Sequence, residues 1–175
     1  PGLPRPMGRC APRARGRAVT PRGEPARLVA LLGDPVAHSV SPAIHGAAFA
    51  SAGIAASYLA LRVEKGAYHV AADGLFALGA LGANVTIPHK EAALRASVDA
   101  SAEARTLGAA NTLVRTEGGW RAENTDVAGF LAGLDRDAFP GASVVVLGAG
   151  GAARAVVFAL ARHVRPSRVT VAARN

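Results

Sequence analysis

The chain has 175 residues, half of them apolar, enough for one complete domain plus part of another around a buried core. Its formal charge of +8 suggests a nucleic-acid partner only until it is divided: residues 1–27 hold seven arginines against one glutamate, and the remainder holds 13 basic against 11 acidic residues. No apolar run approaches the roughly 20 residues that span a bilayer. No apolar h-region stands behind the N-terminal charges, and the single cysteine, Cys10, excludes a disulfide framework or a thiolate cluster. A cytoplasmic protein without membrane or nucleic-acid partners is expected.

Residues 1–26 combine Pro, Arg, Gly and Ala without apolar periodicity, so they are expected to be disordered. They lack the aromatic residues that stack on bases, and an over-extended N-terminus, with initiation at Met7 or nearer Leu28, is the plainer reading. The ordered region opens with a strand over Leu28 to Leu32, ended by Gly33-Asp34-Pro35. Pro42 suits a first helical turn with Ser41 as N-cap, which predicts a helix from Pro42 to Ala52, stopped by Gly53. Tyr58 to Val63 reads as a strand. Val70, Leu75, Leu78 and Leu81 mark a helix over Tyr68 to Leu81, weakened by its glycines. A short strand over Ala83 to Thr86 ends at Pro88, and His89-Lys90-Glu91 begin another helix. A polar helix follows over Ser101 to Leu107. Thr112 to Val114 and Trp120 to Ala122 form a hairpin around Glu117-Gly118-Gly119, and Asn124-Thr125-Asp126 cap a helix from Val127 to Leu134. The histidines at 38, 45, 69, 89 and 163 have neither HExxH nor CxxC company, so no metal site is expected.

The last segment carries the sharpest local signal. Val144 to Leu147 runs into Gly148-Ala149-Gly150-Gly151-Ala152-Ala153-Arg154, a helix continues to about Leu160, and a second strand follows over Arg168 to Val171, giving one βαβ unit. Glycines at 148 and 150 permit a tight turn and close approach of backbone N–H groups to phosphate, and small Ala153 lets the helix pack against the strand. The helix N-terminus favours an anion, with Arg154 as a second contact. At the end of the second strand the chain offers Ala172-Ala173-Arg174-Asn175 and no acid for ribose hydroxyls, which favours NADP, with Arg174 forked onto the 2′-phosphate. Alternation of strands and helices predicts an α/β fold with a mainly parallel sheet in each of two domains. The expected division is a basic tail over 1–26, a ligand-binding catalytic domain over 27–126 and a truncated Rossmann-like nucleotide domain over 127–175.

Four polar clusters fall at strand-to-helix loops, where ligands bind an open α/β sheet: Ser39-Val40-Ser41, Asn84-Val85-Thr86-Ile87-Pro88-His89-Lys90, Asn111-Thr112 and Asn124-Thr125-Asp126. Hydroxyls two residues apart can both face one carboxylate, and asparagine amides donate to and accept from vicinal hydroxyls, a set that suits a small polyhydroxy acid. Taken singly, Ser41 reads more readily as a helix cap, Asn124 or Asp126 as another, and Lys90 as a solvated cation.

From Leu28 to Asn175 these motifs, in this order and ahead of the GAGGAA turn, resemble the shikimate dehydrogenase family. The resemblance implies two α/β domains with the active site between them. It also implies reversible NADP-linked reduction of 3-dehydroshikimate to shikimate, on the route to chorismate and the aromatic amino acids. On that likeness Ser39 and Ser41 bind the substrate carboxylate, and Asn84, Thr86 and Asn111 hold ring hydroxyls. Lys90 and Asp126 form a catalytic pair that also touches substrate, and either of the two could move the proton. Gly148, Ala149, Gly150, Gly151, Ala152, Ala153, Arg154, Arg174 and Asn175 line the cofactor. Val127 departs from the pattern, standing where relatives often carry glycine. The chain resembles an N-terminal piece of such an enzyme, and a homodimer is compatible with the likeness. A quinate/shikimate paralogue using NAD is disfavoured by the Ser-x-Ser pair and by Arg174, and a noncatalytic ligand-binding module is the rival from another class.

Overall fold

The computed structural model describes residues 27–135 and 138–174; the basic tail and Asn175 lie outside them. β1 (Leu28–Gly33) is the run LVALLG, buried over its last four residues. Having no polar side chain to present to water, it takes an interior place, parallel to β2 (Ser57–Arg62) on one side and to β3 (Gly82–Val85) on the other. β3 then pairs antiparallel with β5 (Thr112–Thr116), the first strand of a hairpin with β6 (Gly119–Glu123). A two-residue edge strand, β4 (Asp99–Ala100), runs parallel to β6. The order is β2-β1-β3-β5-β6-β4. The helices of this unit are α1 (Ser41–Ser51), α2 (Tyr68–Ala77), α3 (Lys90–Ala96) and α4 (Ala102–Leu107), and α5 (Asp126–Ala132) leads from β6 toward the second unit, whose helix it packs against. Leu32, Val85, Leu113 and Trp120 anchor the core between sheet and helices, each large side chain contributing about 1.5–3 kcal/mol by leaving water.

The second unit is a parallel pair, β7 (Ser143–Leu147) and β8 (Arg168–Ala172), joined by α6 (Gly151–Ala159) and a π-helical turn over Leu160–Val164. Ala155 and Ala159 of α6 are small enough for close helix packing, and they form a common core with Leu107, Val127 and Leu131. Val127 therefore fills space between α5 and α6, which a glycine would leave open. On β7 Val146 is buried while its neighbours Val145 and Leu147 are exposed, the alternation expected of a strand covered on one face. Among the described residues no helix is long and apolar enough to cross a membrane.

Several expectations need correction. Ser41 is not the N-cap of α1: Val40 holds that place in helix-like geometry with no side-chain cap, and Ser39 Oγ accepts the Ser41 N–H at 3.2 Å. α2 stops at Ala77 because Gly79 turns the chain at φ +77° and the Leu81 N–H is taken by the Leu28 carbonyl at 2.8 Å, drawing the predicted last turn into the sheet. β4 was not expected. α5 begins at Asp126 and ends at Ala132, and its N-terminal bond comes from Asn124, whose Oδ1 accepts the Asp126 N–H at 3.0 Å. The helix expected to about Leu160 ends at Ala159, and what was not expected is the π-helical turn that follows it and ends at Arg165 with φ 54°.

Candidate functional site

β1, β3 and β7 all end, at their carboxyl edges, in the loops that carry the polar motifs. The loop after β1 and the loop after β3 touch: the Asp34 N–H donates to the Ile87 carbonyl at 2.9 Å and the Thr86 N–H to the Leu32 carbonyl at 2.9 Å. Gly33 makes this contact possible, since a Cβ there would collide with Thr86 Cγ2 and lie 3.1 Å from the Ile87 oxygen. The consequence is a continuous concave surface. A cavity of about 260 Å³ is lined by Val36, His38, Ser39, Ser41 and Thr86, and a second, of about 360 Å³, by Thr86, Lys90, Ala109, Gly150, Gly151 and Arg154 among others. Thr86 belongs to both.

Lys90 is the first residue of α3 and is held from several directions. His89, the buried residue before it, lies with Nε2 2.7 Å from the Val63 carbonyl, which requires that nitrogen to donate. The Lys90 carbonyl accepts the Ala110 N–H at 2.8 Å. Nζ then reaches Asp126 Oδ2 at 2.6 Å, with the two side chains 20% and 27% exposed. The other carboxylate oxygen accepts from Asn111 Nδ2 at 2.7 Å, and Asn124, buried, ties the start of α5 back to the loop between α4 and β5 by donating to the Ala109 carbonyl at 2.9 Å. The pair is thus fixed in place yet still reachable.

Asn111 uses both amide hydrogens inside the protein, on Asp126 and on the Thr125 hydroxyl, and its Oδ1 accepts the Thr125 N–H at 3.0 Å and the Thr112 hydroxyl at 3.0 Å. In this arrangement it aims the carboxylate. Asn84 donates from Nδ2 to Thr112 Oγ1 at 3.2 Å and accepts at Oδ1 from the Tyr58 hydroxyl at 2.7 Å, keeping one N–H in reserve. Tyr58 is a contributor that sequence reasoning did not single out; Thr112 and Thr125 stood in the polar clusters without an assigned role, and Glu91 only at the start of a helix. For Tyr58 the available signal was a hydroxyl-bearing aromatic among the aliphatic residues of β2. Burial pushes its phenol above the ordinary value, and a hydrogen bond from the Ser41 side chain partly offsets this.

The glycine turn faces the same surface. Gly148 sits at φ +103°, a conformation that L side chains rarely adopt, and a Cβ on Gly151 would lie 3.6 Å from Lys90 Cδ. Gly148, Ala149, Ala172, Ala173 and Arg174 surround an open cavity of about 560 Å³ at the carboxyl ends of β7 and β8. Arg154 leaves the first turn of α6 to pair with Glu91 of α3 at 3.0 Å. Ala152 lines the Lys90 cavity, and Ala153 lines a further cavity together with Val157 and Val171.

Residues 31–113 match the family model for the shikimate dehydrogenase substrate binding domain. Among curated relatives, the chain is 51% identical over 152 residues to a shikimate dehydrogenase (NADP(+)) of Salinibacter ruber, covering 85% of this chain and 53% of the relative. It is 49% identical over 146 residues to that of Symbiobacterium thermophilum, covering 82% and 49%. Among solved structures, shikimate 5-dehydrogenase from Thermus thermophilus in complex with NADP(H) and shikimate superposes with a TM-score of 0.76 at 41% identity, covering 85% of this chain and 56% of that one. Shikimate dehydrogenase from Aquifex aeolicus gives 0.80 at 35% identity, covering 86% and 56%. The chain spans about half the length of the relatives it matches.

Proposed function

Through residues 31–113 the chain belongs to the shikimate dehydrogenase family, and from that premise we propose that it supplies the shikimate-binding unit and the dinucleotide anchor of an NADP-dependent shikimate dehydrogenase. In this reading residues 27–126 hold the substrate and residues 127–175 the cofactor. The observation that carries it is the Lys90–Asp126 ion pair at 2.6 Å, with the lysine stem lying against Gly151 of the glycine turn. Acid–base groups and a phosphate-type turn would serve no common purpose so close together unless a reaction joined their two ligands.

The residues present suit NADP. Gly148 to Ala153 would lie along the pyrophosphate at the N-terminus of α6, and Arg174, at the mouth of the 560 Å³ cavity with no carboxylate among its lining residues, offers the donor set for a 2′-phosphate. When bound, the nicotinamide supplies the hydride exchanged with the substrate carbon. The chain's own residues do the rest. Ser39 and Ser41 bind the shikimate carboxylate, while Asn84 and Thr86 face ring hydroxyls. Lys90 and Asp126 hold a proton at the ketone oxygen, where charge develops as the carbonyl is reduced. Asn111 keeps the Asp126 carboxylate turned toward Lys90.

Calorimetric titration of the 175-residue chain with shikimate tests the reading. Saturable one-to-one binding is expected, weakened by Ser39→Ala with Ser41→Ala, together with tighter binding of NADP than of NAD. Absence of saturable shikimate binding up to millimolar concentration would overturn it.

A further inference from the structure

We propose that Tyr58 is a positioning residue of this site: its phenol holds the Asn84 amide in the one orientation that leaves an N–H free for a substrate hydroxyl. The proposal rests on the shikimate reading and assigns a role to a residue which that reading does not use.

An asparagine amide can be turned over with little change of shape, so its direction is set by what its neighbours can donate and accept. Thr112 lies on one side of Asn84, 3.2 Å from Nδ2, and its own proton is committed to Asn111 Oδ1 at 3.0 Å; it can only accept. Tyr58 lies on the other side, 2.7 Å from Oδ1. There the phenol O–H donates to the amide oxygen. With Thr112 accepting at Nδ2 and the phenol donating at Oδ1, the two neighbours engage opposite ends of the amide, and the flipped form would forfeit the Thr112 bond. Tyr58 is packed in place for this: it is 7% exposed, and its ring stacks on His45 with centroids 4.2 Å apart and planes 1° from parallel.

Tyr58→Phe removes the hydroxyl and keeps the stacked ring. Calorimetric titrations of wild-type and variant chains with shikimate and with its three mono-deoxy analogues read the effect. The variant is expected to bind shikimate about 3- to 10-fold more weakly, the usual effect of losing one neutral hydrogen bond. The analogue that lacks the hydroxyl facing Asn84 should bind both chains equally. Uniform loss toward all four ligands, or no loss at all, would overturn the proposal. Nuclear Overhauser contacts of the Asn84 side-chain amide in the wild-type chain decide the same point without a variant. Amide protons close to the Thr112 hydroxyl support the assignment, and amide protons against the Tyr58 ring refute it. Should wild-type chain fail to bind shikimate, the functional reading falls, while the amide contacts still settle whether Tyr58 orients Asn84.

Discussion

Replacing Lys90 by methionine separates chemistry from stability, because the two effects differ in size and the structure gives both. Methionine keeps an unbranched stem to lie against Gly151 and suits the first turn of α3, so the change amounts to deleting the ammonium. Asp126 then loses the donor 2.6 Å from Oδ2 but keeps Asn111 Nδ2 at 2.7 Å from Oδ1, so the carboxylate is not orphaned. With side chains 20% and 27% exposed, the pair falls between a surface ion pair, at about 0–1 kcal/mol, and a buried one, where removing a partner costs about 3–5 kcal/mol. A loss of about 1–2 kcal/mol is expected, lowering Tm by a few degrees, roughly 2–4 °C per kcal/mol in a protein of this size. Loss of acid–base assistance should lower kcat by about 10²- to 10⁴-fold, equivalent to about 3–5 kcal/mol in the barrier. Turnover of shikimate with NADP, followed by NADPH absorbance in a chain continued to the full length of its relatives, gives the first quantity and a thermal melt the second. If kcat stays within a few-fold at saturating substrate while Tm falls as expected, Lys90 is a structural cation and the assignment is wrong.

Arg174→Ala should weaken NADP by about tenfold or more and leave NAD unchanged, since only the former offers a phosphate for a charge-assisted bond; equal weakening in parallel titrations would count against Arg174 as the selectivity residue. The Glu91–Arg154 pair, at 3.0 Å with side chains 52% and 49% exposed, should give a double-mutant coupling of about 0.2–1 kcal/mol that fades as salt is raised toward 1 M; a coupling insensitive to salt would show that the contact is not mainly ionic. Tyr58 and Tyr68 are both pushed above 10.0, foremost by burial, so their protonated forms are favoured in the folded chain. Their contribution is complete below pH 10.0 and is lost as pH rises above it; denaturant melts should show stability falling there. The buried Tyr68 hydroxyl has no hydrogen-bond partner among the described residues, so Tyr68→Phe should leave Tm at neutral pH unchanged or raised and flatten the alkaline decline, and a marked loss of Tm would contradict this.

What the sequence made legible was whatever depends on neighbours along the chain. The strands around Leu31, Val85 and Val146, the glycine turn, and the Ser39-x-Ser41 and His89-Lys90 loops each follow from a few consecutive residues, and the parallel βαβ arrangement brings their carboxyl ends to one side. The errors occur where a distant partner competes with local preference. The predicted last turn of α2 was drawn off by the Leu28 carbonyl, and the two residues of β4 owe their strand character entirely to β6. Ser41 lost its capping role because Val40 adopts helix-like backbone and places the cap one residue early.

The same distinction runs through the site. Lys90, Asp126, Asn84 and Asn111 are visible as motif residues, but the motif does not say what each does, because that depends on which hydrogens remain after the protein has used the rest. From Tyr58 through Asn84, Thr112 and Asn111 every donor points the same way, ending on the Asp126 carboxylate that Lys90 approaches from the opposite side. Such a chain has a direction only because its ends differ in kind, a neutral phenol at one and a carboxylate at the other, with Tyr58 and Asn84 26 residues apart and Lys90 and Asp126 36. Reversing one amide would place donor against donor at one junction and acceptor against acceptor at the next, so the orientation of Asn84 and that of Asn111 are a single choice. That choice fixes one N–H of Asn84 toward a ligand and both of Asn111 toward the protein.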